Sequence, residues 1–551
     1  MPGRRHRHPY SAMAGIPEEH AKSDWHAPAR QPDADEHKGE HQAGPAVAFS
    51  VSQADDEMEK RVTRKLHMHI MSRFCLLTIL NHMDRANLAY ASVQLNADLG
   101  LSDYVYGLGS GIFFLGYMVF QIPSQLVAER VGLPYWIGFL MVGWGITATL
   151  MAGLTSNPVH LYLLRFFLGM FEAGTFPAMW AHLTRFYAGG PHLAAAWGFI
   201  GAAQPLAQVI SGPIASALLL ADGAGGLKGW QWLFLIEGIP TILLGFWIFF
   251  TLQPNALKAK FLTPAEQEYV HQRVKDHKER MAKESGIQST WYGIRCWKVY
   301  AQGFASGWAG IMRYGAMYWT PLIVFFIIKG RSSAAGASAD ELKHAGAAAA
   351  GLAGIPYAWS AVVTYLNAWH AKKTGEMYFH LVVPLAIGAV ALAMLTVALG
   401  RNEYAAFIAL MVSATSQASN PLEWGYPATY LHGPALSSGW AVANCISAYG
   451  GVVGPYLIGA LKARFGGYTV PMIFMTCVNS LAVVYFAILL PFLPAKTASA
   501  QQSDGAAVET GQAERVSAGP DVASPPSRCS SAALLSRGDS KSLKGDGAHS
   551  K

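Results

Sequence analysis

The sequence predicts an all-α membrane protein with twelve transmembrane helices in two six-helix halves and disordered polar tails. Three observations predict it. Hydrophobic residues fill 52% of the 551 positions and charged residues only 14%, against roughly a quarter charged in an average soluble domain. The charges are also unevenly spread: 21 lie in residues 1–66, 14 in 258–298 and 13 in 496–551, leaving 27 for the other 388 positions. Finally, the apolar bulk divides into stretches of about 20 residues, the length that crosses roughly 30 Å of hydrocarbon. Its Leu, Ile, Phe and Trp exclude disorder for that bulk. The net charge of +7 is too dispersed for a nucleic-acid groove, which needs Lys and Arg on one face or helix.

Residues 1–66 form a polar N-terminal tail with eleven acidic side chains, unlike a signal peptide or an acid-poor transit peptide. The first apolar segment then serves as an uncleaved insertion signal. Eight His residues occur up to position 69, but they are scattered, and a solvated tail rather than a metal site is expected. Twelve spans follow at about 67–91, 104–128, 135–154, 159–181, 193–219, 230–252, 299–328, 343–367, 379–399, 404–431, 438–462 and 469–494. The ten-residue alternation of a β-barrel is absent, so each span must satisfy its own backbone as a helix. Residues 67–252 and 299–494 make the two six-helix bundles, and 495–551 a second disordered tail in which Ser503, Ser517 and Ser530 are possible phosphate acceptors. The central loop, 253–298, carries Lys258, Lys260, Arg273, Lys275, Lys278, Arg280, Lys283, Arg295 and Lys298, whereas the loops at 92–103 and 155–158 carry no Lys or Arg. The positive-inside rule therefore places both termini and the central loop in the cytoplasm. Within that loop, Thr263 followed by Pro264 predicts the start of a short surface helix. Cys75, Cys445 and Cys477 lie in apolar runs, Cys296 follows the basic loop and Cys529 is in the tail; no pair has metal-ligand spacing.

An internal repeat supports the two halves. The fifth span, WGFIGAAQPLAQVISGPIASALL, and the eleventh, WAVANCISAYGGVVGPYLIGALK, each open with Trp (Trp197, Trp440), reach Gly-Pro (Gly212-Pro213, Gly454-Pro455) and end in small residues with Ala-Leu. Small residues let membrane helices approach closely, and repeats of this kind are typical of secondary transporters.

A charge within a membrane helix costs at least about 2.5 kcal/mol on insertion scales, so each is a functional candidate. Asp84 and Arg85 stand in NHMDRANLAYA of span one, Arg165 and Glu172 in LLRFFLGMFEAGTFP of span four. Seven residues separate the latter two, placing them on nearly the same helix face. The four groups can neutralise one another in a shared cavity; for Arg165 a static pairing role and a direct one both stand. Arginine's planar fork suits a carboxylate, and Glu172, among apolar neighbours, is suited to take up a proton. In the second half Arg313 and Glu423 are exceptional. Either they pair with each other or Arg313 adds a second anion contact. Tyr117, Gln204, Gln208, Asn420 and Asn444 can orient a ligand or act as packing glue.

Several long segments in correct order, MDRANLAYA, NADLGLSDYVYGLGSGIFFLGYMVFQIPSQL, RFFLGMFEAGTFP, SGPIASALL with GLKGWQWLFLIEGIP, and NCISAYGGVVGPYLIGALKARFGGY, span residues from about 67 to 494. Through them the chain resembles the major facilitator superfamily, and within it the anion:cation symporters, in the branch of bacterial tartrate, phthalate and hydroxyphenylacetate carriers with fungal allantoate and nicotinate permeases as cousins. The resemblance implies proton-coupled uptake of an organic anion by alternating access. It implies Asp84 and Glu172 as proton-coupling groups, Arg85 as the anion contact, and Tyr117, Gln204 and Asn444 around the substrate. The gating loop after span two, QLVAERVGLPYW, keeps Glu129, Arg130 and Gly132 of the superfamily pattern but has Gln125 for the first Gly and Leu133-Pro134 for the basic pair. Its counterpart, HAKKTGEMY, has Lys372 where an Asp is usual, which implies an altered charge lock and a shifted gating equilibrium. Glu423 replaces an apolar or aromatic residue of the relatives, implying altered specificity.

The expected function is thus a monomeric secondary carrier, with a small organic anion, a proton and the lipid bilayer as its partners, without nucleic acid, cofactor or metal, in the plasma membrane. An anion-binding nutrient sensor that signals through its tails, or a proton-independent anion facilitator, are the alternatives. An enzyme is not expected, because the spans hold neither His-Glu-x-x-His nor Gly-x-Ser-x-Gly.

Overall fold

The computed structural model describes residues 45–188, 190–284, 289–329, 338–431 and 433–489, and the regular structure among them is helical throughout. Helix α1 is Pro45–Leu66 and runs through a π-helical turn, His67–Met71, into α2, Ser72–Leu99. The first half continues with α3 (Asp103–Val131), α4 (Leu133–Leu154), α5 (Pro158–Glu172), α6 (Thr175–Leu183), α7 (Gly190–Leu220) and α8 (Gly229–Thr251). Two helices, α9 (Pro264–Glu284) and α10 (Thr290–Arg295), lie in the central loop. The second half holds α11 (Trp297–Lys329), α12 (Ala339–Thr374), α13 (Tyr378–Ala398), α14 (Glu403–Ser413), α15 (Asn420–Gly425), α16 (Gly433–Ser447), α17 (Tyr449–Phe465) and α18 (Thr469–Leu489).

By compactness the chain divides between Glu59 and Lys60. The polar tail read as disordered to residue 66 is instead helical from Pro45; residues 1–44 and the tail beyond 489 lie outside the described residues. The helix has a reason from Lys60 onward. Val62 and Leu66 are four residues apart, hence on one face, and both are buried. On the adjoining face Arg61 and Lys65 reach Glu266 of α9, at 3.1 and 2.7 Å. Glu266 also closes the predicted N-terminus of α9 as a capping box, accepting from the N–H of Thr263 at 2.8 Å while Thr263 Oγ1 accepts from the N–H of Glu266. Burial works to raise its pKa, but the bonds from Lys65 and Thr263 outweigh it and hold the carboxyl below its usual range.

Among the described residues nine helical stretches are long and apolar enough to cross a membrane unaided. The three predicted spans that fall short are instructive. The first, α2, carries Asp84 and Arg85; the fourth is broken at Ala173-Gly174 into α5 and α6; the tenth is α14 and α15 joined by a 3-10 segment, Ala414–Ser419. These are the spans that hold Asp84, Arg85, Arg165, Glu172 and Glu423. Such broken or polar helices survive in hydrocarbon only where neighbours and an enclosed interior satisfy them.

Helix pairing follows the repeat. In the first half α4 packs on α8, and in the second α13 packs on α18. Across the halves α7 meets α12, and α17 meets α3. The last contact is backbone to backbone: a Cβ on Gly107 or Gly111 would stand 2.7 Å from the carbonyl oxygen of Pro455 or Val452, so only glycine permits that approach. At the end of the bundle where α3 begins, Lys462 Nζ bonds Asp103 at 2.6 Å, Tyr106 donates to the Tyr318 carbonyl at 2.6 Å and Trp319 Nε1 to that of Pro455 at 3.1 Å. Near the opposite ends of α7 and α16, the repeat-related Trp197 and Trp440 meet at 5.1 Å between ring centroids, and Trp180 joins Trp440 at 5.9 Å.

Candidate functional site

Consecutive residues on a helix point about 100° apart, so Asp84 and Arg85 enter different surroundings. Arg85 turns toward α5. Its Nε donates to Glu172 Oε2 at 2.5 Å, and the same oxygen accepts from Asn81 Nδ2 at 2.8 Å. The guanidinium lies 5.0 Å from the ring centroid of Tyr117, 5.3 Å from Phe113 and 5.9 Å from Phe176, an aromatic cage of cation–π geometry. Two turns before Glu172, Arg165 approaches Phe113 at 5.0 Å and donates through Nη2 to the hydroxyl of Tyr318, at 2.7 Å. Tyr318 belongs to the other half of the molecule, so Arg165 ties the halves together.

The arrangement is under-satisfied. Arg85 Nη2, Arg165 Nε and Nη1, and Glu172 Oε1 are all buried without a hydrogen-bond partner. Arg165 and Glu172 are wholly buried and Arg85 is 7% exposed. An unmatched donor on a buried charge is costly. Three unmatched guanidinium nitrogens lie near one Phe ring, and a guanidinium's free donors suit the two oxygens of a carboxylate.

Asp84 turns instead toward α4 and α8. Its Oδ2 accepts from Trp144 Nε1 at 2.9 Å and Thr241 Oγ1 at 3.2 Å, and its Oδ1 from Asn87 Nδ2 at 3.4 Å. Of the two basic and two acidic groups expected to share a cavity, Asp84 thus faces different hydrogen-bond partners from Arg85, on a face of α2 turned about 100° away, while still feeling the charges of Glu172 and Arg165. Glu237 of α8 joins it there, 2% exposed. Glu237 escaped the sequence reading, although a lone Glu inside LFLIEGIP is the same signal as Glu172.

In the second half Arg313 and Glu423 pair with each other, Nη1 to Oε2 at 2.8 Å and Nη2 to Oε1 at 3.1 Å. Nη2 also reaches the Ser306 carbonyl at 3.4 Å, and Gln302 donates to the Glu423 carbonyl at 3.1 Å. Of the remaining expected residues, Gln204 is exposed on α7 and Asn444 half-buried on α16; neither bonds the charged cluster. Cys445, beside Asn444, donates to the Met118 carbonyl at 3.5 Å, which sets Asn444 near the level of Tyr117. Gln208 is buried with its carbonyl oxygen accepting from Tyr90 at 3.3 Å.

The gating-loop residues lie apart from the cluster. Glu129 and Arg130 are exposed at the end of α3, with Arg185 facing Glu129. Gly132 has φ 108°, a conformation that favours glycine. Lys372 is exposed in the last turn of α12, where a cation suits the helix dipole. Glu376 caps α13 through the N–H of Phe379 and receives His380 at 2.8 Å. Burial opposes these bonds, but they prevail and lower its pKa.

The comparisons agree with this architecture. The sequence profile of the Major Facilitator Superfamily matches residues 74–455. A protein of Agrobacterium vitis named for tartrate transport is 33% identical over 79% of this chain and 92% of its own length. The metabolite transport protein NicT of Pseudomonas putida is 28% identical over 82% and 98%. Among solved structures, a bacterial homologue of the human lysosomal transporter Spinster, inward-facing and occupied, superposes with TM-score 0.59 at 15% identity over 77% of this chain and 97% of its own. The xylose transporter XylE of E. coli, in a partially occluded inward-open state, gives TM-score 0.59 at 12% identity over 78% and 98%. The chain belongs to the Major Facilitator Superfamily, as a multi-pass integral membrane transporter rather than an enzyme.

Proposed function

We propose that the protein is a proton-coupled symporter of a small organic carboxylate, working by alternating access between two six-helix bundles at 67–252 and 299–494. The observation that carries this reading is the charge balance at Phe113. Two guanidiniums, Arg85 and Arg165, flank the ring with three unmatched donors, and a single carboxylate, Glu172, answers them. One anion added there supplies acceptors for the unmatched donors. A proton on Glu172 weakens its hold on Arg85 and frees the Nε donor for the incoming carboxylate. Loading both leaves the net charge unchanged while the buried donors gain an acceptor, which lowers the cost of closing the site from water and permits the bundles to rock about the site.

The relatives named for tartrate and metabolite transport support an organic anion. Lys and Arg in the central loop support cytoplasmic termini, and we assign the chain to the plasma membrane as a monomer. The gating residues Glu129, Arg130, Gly132 and Lys372 control the swing in this reading, and Tyr117 and Asn444 face the substrate. The test is uptake by purified protein in liposomes, with tartrate, phthalate, nicotinate, pantothenate and allantoate in competition. One of these carboxylates should accumulate when the outside is acidic and stop accumulating when the pH gradient is collapsed. Uptake insensitive to the gradient would leave a facilitator.

A further inference from the structure

Behind the anion site lies a second buried acidic pair that the mechanism above does not use. Asp84 is 1% exposed and Glu237 2%, and among the described residues no cationic side chain bonds either. The two carboxyls differ in how they are served. Asp84 accepts three hydrogen bonds, from Trp144, Thr241 and Asn87, the surroundings of a carboxylate ion. Among the described residues neither oxygen of Glu237 has a donor in good hydrogen-bond geometry, and the side chain within hydrogen-bonding reach of it is that of Asn87. An isolated carboxylate in a low-dielectric interior is costly and takes up a proton instead. Asn87 Nδ2 reaches Asp84 at 3.4 Å, and Asn87 Oδ1 is a buried acceptor with nothing to accept. A protonated Glu237 is the donor that this acceptor lacks.

We propose that Glu237 binds a proton and hydrogen-bonds through it to Asn87 Oδ1, so that Glu237, Asn87 and Asp84 form a second proton site on a face of α2 beside that of Arg85. The inference rests on the proton-coupled reading above and extends it. The groups that face Glu237 from α2 are Asp84 and Tyr90. From α4 the pair meets Trp144, which does not titrate, and α7 has no ionisable residue after His192. Glu172 and Arg165 act on Asp84 from α5. Thr241 links the members further: its hydroxyl lies 3.2 Å from Asp84 Oδ2 and 2.9 Å from the carbonyl oxygen of Glu237, one turn away. A charge ledger follows. Arg85 and Arg165 contribute two positive charges, Glu172 and Asp84 two negative, and a protonated Glu237 none, so the empty site is neutral and a monoanion enters with one further proton. That proton has two seats, Glu172 beside the anion or Asp84 next to Glu237.

Infrared difference spectroscopy of the full chain in lipid at neutral pH tests the assignment. Wild type should show the C=O stretch of a protonated, hydrogen-bonded carboxyl that disappears in Glu237→Gln and persists in Glu172→Gln. Asn87→Ala should move the same band to the frequency of a free carboxyl. A band unchanged in Glu237→Gln overturns the proposal. Should that variant fail to fold, an unmoved band in Asn87→Ala does the same. Uptake in wild type separates the two readings. If the band behaves as stated while uptake ignores the pH gradient, the symport reading fails and the proton site stands. If uptake follows the gradient and the band never depends on Glu237 or Asn87, only the proton site falls.

Discussion

Arginine is used in opposite ways by the two halves of the molecule. In the second half Arg313 spends both terminal nitrogens on the two oxygens of Glu423, so donor and acceptor are matched within the protein. In the first half Arg85 gives only Nε to Glu172, and Arg165 only one nitrogen to a tyrosine hydroxyl, leaving three buried donors unmet. A closed fork is complete without a ligand and holds helices together. An open one carries an unpaid desolvation cost that a bound anion can offset, which makes it a binding site. The same residue type is therefore structural in α11 and available for substrate in α2, and the sequence pattern alone does not separate the two.

The largest effect expected from breaking this contrast is at Arg85. Removing one partner of a buried pair costs about 3–5 kcal/mol, so Arg85→Ala should lower initial uptake by at least about 100-fold, with 1.36 kcal/mol per factor of ten. Arg85→Lys should not restore it, because an ammonium offers a point charge in place of a planar fork. Near-normal flux in Arg85→Lys would show that shape matters less than charge there.

At the closed fork the signature should be coupling rather than specificity. Arg313→Met alone strands a buried Glu423 and should destabilise the protein by about 3 kcal/mol, whereas Arg313→Met with Glu423→Leu should recover most of the loss, since apolar replacements of buried pairs are often neutral. Thermal unfolding in detergent gives the cycle. Additive losses would mean that Arg313 has a second partner, reviving the reading in which it contacts the anion.

A smaller and more selective change is expected for Glu172→Gln. The amide keeps the shape but holds no exchangeable charge, so anion exchange between equal pools should persist while accumulation against a gradient is lost. One pH unit supplies a tenfold driving force per proton, or 1.36 kcal/mol. Wild type should gain up to about tenfold accumulation for each unit and the variant none. Accumulation by the variant would move the coupling proton to Asp84 and Glu237.

The twelve spans and the repeat could be read from the chain because they depend on local quantities: run length, hydropathy and the spacing of Trp and Gly-Pro. The membership of the site was legible in part for the same reason. Asp84, Arg85, Arg165 and Glu172 stand out as charges in apolar helices, but which way each points does not follow from composition. Asp84 and Arg85 are adjacent in sequence and meet different neighbours, because one helical step turns about 100°. Trp144 escaped notice, and Tyr318 stood only among span aromatics that leave room for an aromatic acid or serve as packing; only the fold brings the hydroxyl to Arg165 and the indole to Asp84. Glu237 was missed although its signal was present. The helical run of α1 was missed because 45–66 is polar overall, and its short buried stripe, Val62 and Leu66, gains meaning only when Arg61 and Lys65 find Glu266.

That last contact supplies the smallest effect, and it contrasts with the buried pairs. Glu266 is 1% exposed on its side chain, but Arg61 is 60% exposed and Lys65 31%, so water and salt screen the bridge, and exposed pairs contribute about 1 kcal/mol or less. The sign with pH is fixed by the direction of the shift. A carboxyl whose folded pKa is lowered adds stability above its unfolded value, near 4.5, and loses that contribution as the pH falls through the lower folded value. Glu266→Gln should therefore loosen α9 modestly at pH 7, measured as faster amide exchange in 264–284. The difference from wild type should be constant from pH 8 to 6, shrink below about pH 4 as wild-type Glu266 protonates, and narrow with added salt as the Debye length contracts from about 10 Å at 0.1 M to about 3 Å at 1 M. A difference that added salt leaves unchanged would mean that the capping bond to Thr263, and not the ion pairs with Arg61 and Lys65, anchors the helix.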